Sequence, residues 1–164
     1  MISAKKTPAL IWRLTRIGNR LVRRLIPRGL GPKNLVLVLT TTGRKSGLPR
    51  QTPLQFELID GVYYVGSARG VQADWYRNLV ANPKVQVQVQ GRRFNAAAEP
   101  VTDPQEIADF LEIRLRRHPK MIGMMMRAEG LPKNFNRADL ERLSSRLAVV
   151  ALHSCGDGDK PDKP

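Results

Sequence analysis

Three basic residues cluster within one short segment of the chain, residues 40–54, whose sequence is TTTGRKSGLPRQTPL. These cations are Arg44, Lys45 and Arg50. The interspersed glycines and hydroxyl side chains let backbone amides and side chains approach phosphate or carboxylate oxygens. The segment lacks the Gly-Lys pair and the following helix of a Walker A loop. It therefore predicts an anion-holding loop between two strands, with a solvated basic hairpin loop as the alternative.

Residues for acid–base, metal or disulfide chemistry are scarce. The single cysteine is Cys155, and the two histidines are His118 and His153. One cysteine cannot form an internal disulfide, and two isolated histidines provide at most two metal ligands. No grouping of His, Glu and Asp suggests general acid–base catalysis. We expect no metal site.

The segments around the basic loop have the patterns of short strands. Residues 34–41 and 51–58 are predicted strands, and Pro53 argues for an edge or a bulge in the second. Asp60 and Gly61 form a two-residue hairpin signal before a third strand at 62–68. A short helix is predicted at 73–81, because Asn82 and Pro83 end it.

Three valines alternate with glutamines over residues 85–90, which predicts a strand with one buried face. Gly91 turns this strand into a partner at 93–101. Asp103 and Pro104 predict the start of a helix that runs to about Arg117. A methionine-rich stretch at 121–126, interpreted mainly as packing, precedes a further helix at 137–145 and a last strand at 148–152.

Hairpin-linked strands with few helices predict a mainly β protein with helices (α+β), a closed antiparallel barrel packed on its outside by the helices. Residues 1–32 are predicted to hold a basic amphipathic helix, residues 33–153 the barrel domain, and residues 154–164 a disordered tail. Within residues 9–26 apolar side chains occupy one side of the helical wheel and five arginines the other. This helix is expected either to cover the barrel or to lie on an anionic membrane surface through residues 9–28.

The net charge is +14, and residues 1–33 carry nine of the 28 Lys and Arg but no acid. Such asymmetry indicates an anionic partner, which could be nucleic acid, a membrane surface or a polyanionic cofactor. The aromatic content of 5% disfavours a nucleic-acid-binding module. The longest aliphatic run, residues 35–39, is far shorter than a spanning helix, and no secretory signal is evident. We expect an intracellular, cytoplasmic protein, with peripheral contact to the inner face of the membrane.

Three blocks together carry a resemblance to a known family: TTTGRKSGLPRQTPL, then VYYVGSARG at 62–70, then WYRNLVANPKVQVQV at 75–89. In this order and spacing they closely resemble the deazaflavin-dependent nitroreductase and quinone reductase family, over about residues 34–102. The resemblance implies a split β-barrel similar to that of flavin-nucleotide-binding oxidases. It also implies coenzyme F-420, an 8-hydroxy-5-deazaflavin with an oligoglutamate tail, as cofactor.

The resemblance further implies which residues hold this coenzyme. The oligoglutamate tail would bind to Arg44, Lys45 and Arg50. Ser46, Pro53 and Leu54 of the same segment would also contact the coenzyme. Ser67, Ala68, Arg69 and Gly70 would meet the phosphate and the ring edge, and Trp75 and Asn78 would complete the pocket. For Trp75 packing in the core is an equal alternative.

A bound 5-deazaflavin implies hydride transfer to a quinone, an activated alkene or a nitroaromatic, a small hydrophobic acceptor. Ser67 is the candidate catalytic residue, because a hydroxyl can stabilise the anion that forms. The sequence departs from better-known members in lacking their run of tyrosines, so the natural acceptor and proton donor stay open, as does the oligomeric state. Two alternatives remain: an FMN-dependent enzyme of the same barrel class, and a basic membrane- or nucleic-acid-binding module without catalysis.

Overall fold

A computed structural model describes residues 36–67 and 69–156. Within them six strands form a closed antiparallel barrel in the order β1-β2-β3-β6-β5-β4. The strands are β1 Val36–Thr42, β2 Pro49–Ile59, β3 Val62–Ser67, β4 Lys84–Val89, β5 Arg92–Val101 and β6 Ala148–Ser154. The predicted barrel is therefore confirmed. The predicted N-terminal helix, Ala68 and the tail beyond residue 156 lie outside the described residues, and the domain boundaries remain a prediction.

The alternation in β4 has the predicted consequence for packing. Val85, Val87 and Val89 are 5%, 0% and 2% exposed, whereas the glutamines between them are only partly buried. Successive side chains of a strand point to opposite faces, so the valines fill the barrel interior. The same interior holds Leu37 and Leu39 of β1 and Phe56 of β2.

Two tight turns close the hairpins β2–β3 and β4–β5. Asp60 and Gly61 have φ of 49° and 82°, and Gln90 and Gly91 have φ of 51° and 80°. Two successive residues with positive φ match the twist of a two-residue hairpin, which is why glycine stands second in each turn. Both predicted turns are confirmed.

The two parts of β2 pair with different strands among the described residues. Pro49 to Gln55 pair with β1, but the ladder to β3 covers only Phe56–Ile59 and ends at the pair Phe56 and Val65. Pro53 therefore lies where β2 has no β3 partner among the described residues, and a residue without an N–H is tolerated there. The predicted edge position of Pro53 is confirmed.

Four helices accompany the described strands: α1 Asp74–Ala81, α2 Pro104–Arg117, α3 Pro119–Ala128 and α4 Arg137–Ser144. Asp103 caps α2 as predicted, since its carboxylate accepts a hydrogen bond of 2.9 Å from Gln105 N. The methionine-rich stretch lies inside α3, which the sequence did not predict as a helix. Ile122 and Met126 of α3 are buried in a second core with α2 and α4, outside the barrel.

A charge cluster joins the outer face of β2 to α2 and to the start of α3. The buried Glu57 carboxylate lies 3.4 Å from Arg114 Nε, 3.0 Å from Arg117 Nη1 and 3.4 Å from His118 Nε2. Arg114 also donates a hydrogen bond of 2.7 Å to Gln55 Oε1. Burial lowers the pKa of Arg114, and the charge of Glu57 opposes this shift. The cluster ties α2 to the barrel.

Among the described helices, none has the length and apolar character needed to span a membrane.

Candidate functional site

The basic segment forms a tight loop, residues 43–48, between β1 and β2. Gly43 N donates to Leu48 O at 2.8 Å, and Gly47 N donates to Gly43 O at 2.7 Å. Gly47 has a φ of 67°, a conformation that favours glycine. A side chain at Gly43 would place its Cβ 2.7 Å from Ser46 Oγ and 3.1 Å from Leu48 O. The loop itself therefore favours glycine at both positions, whatever it binds.

Arg44 fastens this loop to α1. Its Nη1 donates to Asn78 Oδ1 at 2.9 Å and its Nη2 to Asp74 Oδ1 at 3.0 Å. The backbone N of Arg44 also donates to Asn78 Oδ1, at 3.2 Å. Arg44 therefore has an internal positioning role in addition to any contact with an anion.

Asn78 is the buried centre of the same network. Its side chain is 4% exposed, and its Nδ2 donates to Thr41 Oγ1 at 3.3 Å. Thr41, which is 1% exposed, in turn donates to Arg50 O at 3.5 Å. Oδ1 and Nδ2 of Asn78 both have partners within the chain, so the residue links β1, β2, α1 and the loop.

Lys45 of the loop and Arg50 at the start of β2 are both exposed. Arg50 Nη2 donates weakly to Ser46 Oγ at 3.5 Å, and Ser46 Oγ also accepts from Leu48 N at 3.3 Å. Ser46 thus shapes the loop and orients the guanidinium of Arg50. The two exposed cations are the groups of this loop best placed to meet an external anion.

The end of β3 leads into the second predicted block. Ser67 Oγ accepts a hydrogen bond of 3.2 Å from Arg69 N, which leaves its hydroxyl proton for another acceptor. Gly70, with φ of 55°, starts a short 3₁₀ turn, Gly70–Gln72, and a Cβ there would lie 2.4 Å from Arg146 O. Only glycine permits this approach to the chain before β6. Ala68 lies outside the described residues.

Several cations converge on Asp74, the first residue of α1. Its carboxyl pKa is lowered, chiefly by the hydrogen bond from Arg44, with further contributions from the charges of Arg44, Arg69 and Arg77. Basic residues of the loop, of the 3₁₀ turn and of α1 therefore surround one region of the surface. Asp74 and Thr41 belong to this network but were not among the predicted site residues. The only sequence feature that distinguishes Asp74 is that it is an acidic residue among many basic ones.

The remaining predicted residues line the barrel rather than the loop. Trp75 is 7% exposed and belongs to the barrel core, with Tyr76 packed edge-on at 6.0 Å between ring centroids. Leu54 packs against the same core. Pro53, Leu54 and Ser67 all lie beyond the last β2–β3 ladder pair, at the end of the barrel that carries the basic loop.

No cluster of three or more His, Cys, Asp or Glu that could hold a metal exists within residues 36–67 and 69–156. Cys155 is exposed and unbridged, and His118 and His153 lie beside Glu57 and Glu99. The groups brought together are instead cations, hydroxyls and backbone amides. They suit the binding of an anionic ligand and the stabilisation of a developing negative charge.

Comparison with known proteins gives a consistent assignment. The family model described as F420H2-dependent quinone reductase matches residues 13–130. An F420H2-dependent quinone reductase of Mycobacterium tuberculosis is 38% identical over 68 residues, which are 40% of this chain and 46% of the relative. The alignment thus spans about half the length of the curated relative.

Solved structures share the fold at low sequence identity. An F420-H2 dependent reductase has a TM-score of 0.50 at 23% identity, covering 72% of this chain and 93% of its own. The heme storage protein of Vibrio cholerae has a TM-score of 0.52 at 17% identity, covering 84% and 89%. These likenesses establish the barrel architecture, which serves more than one function. The family model covers most of the chain, and the chain therefore belongs to the F420H2-dependent quinone reductase family.

Proposed function

We propose that the protein is a deazaflavin-dependent oxidoreductase that reduces a quinone with coenzyme F-420 as the hydride donor. The observation that carries the proposal is the basic loop at residues 43–48, in which Lys45 is exposed while Arg44 and Asn78 hold the loop to α1, with a further exposed cation, Arg50, at the start of β2. When bound, the reduced coenzyme supplies a hydride.

The residues present fit such a coenzyme. Its phosphate and oligoglutamate tail need several cations, and Lys45, Arg50 and Arg69 are exposed at one end of the barrel. A planar ring needs apolar surface apart from these cations, and the partly buried Leu54, which packs against the barrel core beyond the last ladder pair of β2 with β3, offers such surface. The spread of cations over more than one element favours a tailed coenzyme over the single phosphate of FMN.

Ser67 is the proposed group that touches the reacting atoms. Its hydroxyl oxygen accepts from Arg69 N, and its hydroxyl proton remains available for donation to another acceptor. A positioned donor stabilises an oxygen or ring atom on which negative charge develops during hydride transfer. The chain needs no general base for this role, since hydride transfer leaves an anion that solvent can protonate.

We also propose that residues 9–28, which lie outside the described residues, contact an anionic membrane at the inner face of the cell membrane. The support is the sequence pattern alone: an apolar side opposite five arginines, each of which contributes about 1 kcal/mol near an anionic surface. A quinone acceptor is itself lipid-soluble. Such contact would bring the enzyme to its substrate.

The test is a titration of the purified full chain with oxidised coenzyme F-420 and with FMN, followed by steady-state reduction of a soluble quinone. Tailed coenzyme is expected to bind at micromolar affinity or better and FMN much more weakly, because FMN engages fewer cations. Equal affinity for both, or binding of the coenzyme without quinone reduction, would overturn the proposal.

A further inference from the structure

We propose that Asp74 is an internal competitor for the coenzyme tail, a carboxylate that occupies Arg44 and lowers the affinity of the site for external carboxylates. This inference rests on the proposed function, because it concerns the oligoglutamate tail of the same coenzyme. It makes Asp74 a residue that sets affinity by opposing the ligand, in contrast to the cations that attract it.

The geometry of the pair is that of a displaceable contact. The Asp74 carboxylate meets Arg44 Nη2 at 3.0 Å, with the Asp74 side chain 77% exposed and that of Arg44 25% exposed. A single exposed ion pair of this kind is weak, and a carboxylate from a ligand in solution can displace it. A glutamate of the tail offers Arg44 the same chemical group that Asp74 offers.

Arg44 does not depend on Asp74 for its position. Asn78 Oδ1 accepts hydrogen bonds from both the backbone N and Nη1 of Arg44, at 3.2 Å and 2.9 Å. Asn78 is buried and is itself held by Thr41. Removal of the Asp74 carboxylate therefore leaves the guanidinium in place with Nη2 free to bind another acceptor.

The charge of the Asp74 carboxylate interacts with more cations than Arg44 alone. Arg69 and Arg77 both act electrostatically on this carboxylate, together with Arg44. One negative charge among three cations reduces the potential that attracts a polyanion. Because the neighbouring cations keep the carboxyl ionised, this opposing charge is present throughout the neutral pH range.

The experiment measures the affinity of Asp74→Asn for oxidised coenzyme F-420 with its oligoglutamate tail and for the same deazaflavin without the tail. The matched control is Glu99→Gln, which removes an equally exposed carboxylate, 74% against 77%, from β5. We expect Asp74→Asn to bind the tailed coenzyme about two- to fivefold more tightly at low salt, the scale of one exposed ion pair. The tail-less form and Glu99→Gln should change less than about twofold.

Two further variants exclude indirect explanations. The gain should disappear when Arg44→Gln is combined with Asp74→Asn, since the freed group is then absent. The gain should also stay constant between about pH 6 and 8, because the Asp74 carboxyl is ionised over that range. Unchanged or weaker binding of the tailed coenzyme, or an equal gain for the tail-less form, would overturn the inference.

Binding of free oligoglutamate separates this inference from the proposed function. Calorimetry of that peptide with the wild-type chain and with Asp74→Asn tests the carboxylate site without the deazaflavin. Tighter peptide binding by the variant, with no coenzyme binding by either protein, would contradict the proposed function alone. Equal peptide binding by the two proteins would contradict the inference alone.

Discussion

At the scale of single residues, the site separates cations that hold the loop from cations that face solvent. The guanidinium of Arg44 donates to Asn78 and Asp74, and its side chain is only 25% exposed. Lys45 beside it is exposed and makes no such hydrogen bond to the described residues. Neighbouring basic residues of the same loop thus have different roles. Substitutions in the two groups should therefore differ in effect. Loss of a solvent-facing cation should lower the affinity for the coenzyme alone, whereas loss of a residue that holds the loop should also lower the free energy of unfolding.

We expect Lys45→Ala and Asn78→Ala each to weaken binding of the tailed coenzyme by about 1–3 kcal/mol, the range for a lost hydrogen bond to a charged or buried group. Only Asn78→Ala should also lower the free energy of unfolding, because Thr41 and the backbone N of Arg44 would lose their buried partner. Calorimetric titration and urea unfolding measure the two quantities.

Salt and a neutral control make this contrast sharper. The affinity loss of Lys45→Ala should shrink at high salt, since the lost interaction is an exposed charge. Asn95→Ala, a change of the same kind at an exposed position of β5, should leave both affinity and stability unchanged. A loss of stability in Lys45→Ala comparable to that in Asn78→Ala would contradict the division of roles.

The sequence indicated the exposed cations and the glycines but not the internal network. Arg44 and Asn78 are 34 positions apart and meet only because α1 packs beside the loop after β1. No local pattern encodes such a contact. The family resemblance named both residues as coenzyme contacts, and the structure adds partners for them within the chain.

At the scale of elements, the interface between β2 and α2 contains a buried charge cluster instead of apolar contacts alone. Glu57 and Arg114 have side-chain exposures of 4% and 8%, and Arg117 and His118 complete the shell at the helix end. Glu57 Oε1 and Arg114 Nε are buried without well-formed hydrogen bonds. Such a cluster is sensitive to the loss of one member, because the opposite charge then stays buried.

Arg114→Met should therefore lower the free energy of unfolding by about 1–3 kcal/mol, less than the cost of leaving a buried charge unpaired because Arg117 still pairs with Glu57. Urea denaturation measures it. Arg116→Met on the same helix is the matched control, because Arg116 is exposed and its replacement should change stability by no more than about 0.5 kcal/mol. Adding Glu57→Gln to Arg114→Met should recover part of the loss, and equal effects of the two Arg variants would contradict a role for the cluster.

Elements with local signals were predicted well, and the missed element lacked one. The hairpin turns, the Asp103 cap and the valine alternation each encode their element within a few residues. α3 begins at Pro119, directly after α2, and owes its burial to packing of Ile122 and Met126 on α2 and α4. The methionine-rich sequence therefore predicted that this stretch packs in a core, but it did not predict a helix.

For the molecule as a whole, the fold and the distribution of charge point to different aspects of function. Proteins of different function share the barrel, so the fold alone does not identify a ligand. The net charge of +14 is concentrated toward the N-terminus, where residues 1–33 carry no acid. The charge asymmetry belongs to the segment proposed to contact a membrane.

We expect the full chain to co-sediment with anionic vesicles and not with neutral ones, and deletion of residues 1–28 to abolish this while coenzyme binding persists. The basis is the attraction of about 1 kcal/mol per surface-bound basic residue. Vesicle sedimentation and coenzyme titration are the two measurements. Unfolding of the truncated chain would assign the segment to the protein core, and continued sedimentation would locate the membrane contact elsewhere.

Among the described residues, the first part of β2, Pro49–Gln55, has no partner on its β3 side, and this bears on aggregation. A strand edge with free amides and carbonyls is a template on which a second chain can add a strand, and a closed barrel removes such edges wherever its ladders are complete. Here the β2–β3 ladder stops at Phe56. Pro53 has no amide hydrogen to offer an incoming strand, and the charge of Arg50 opposes the stacking of identical copies. We therefore expect Pro53 and Arg50 to oppose edge-to-edge association of the protein in concentrated solution.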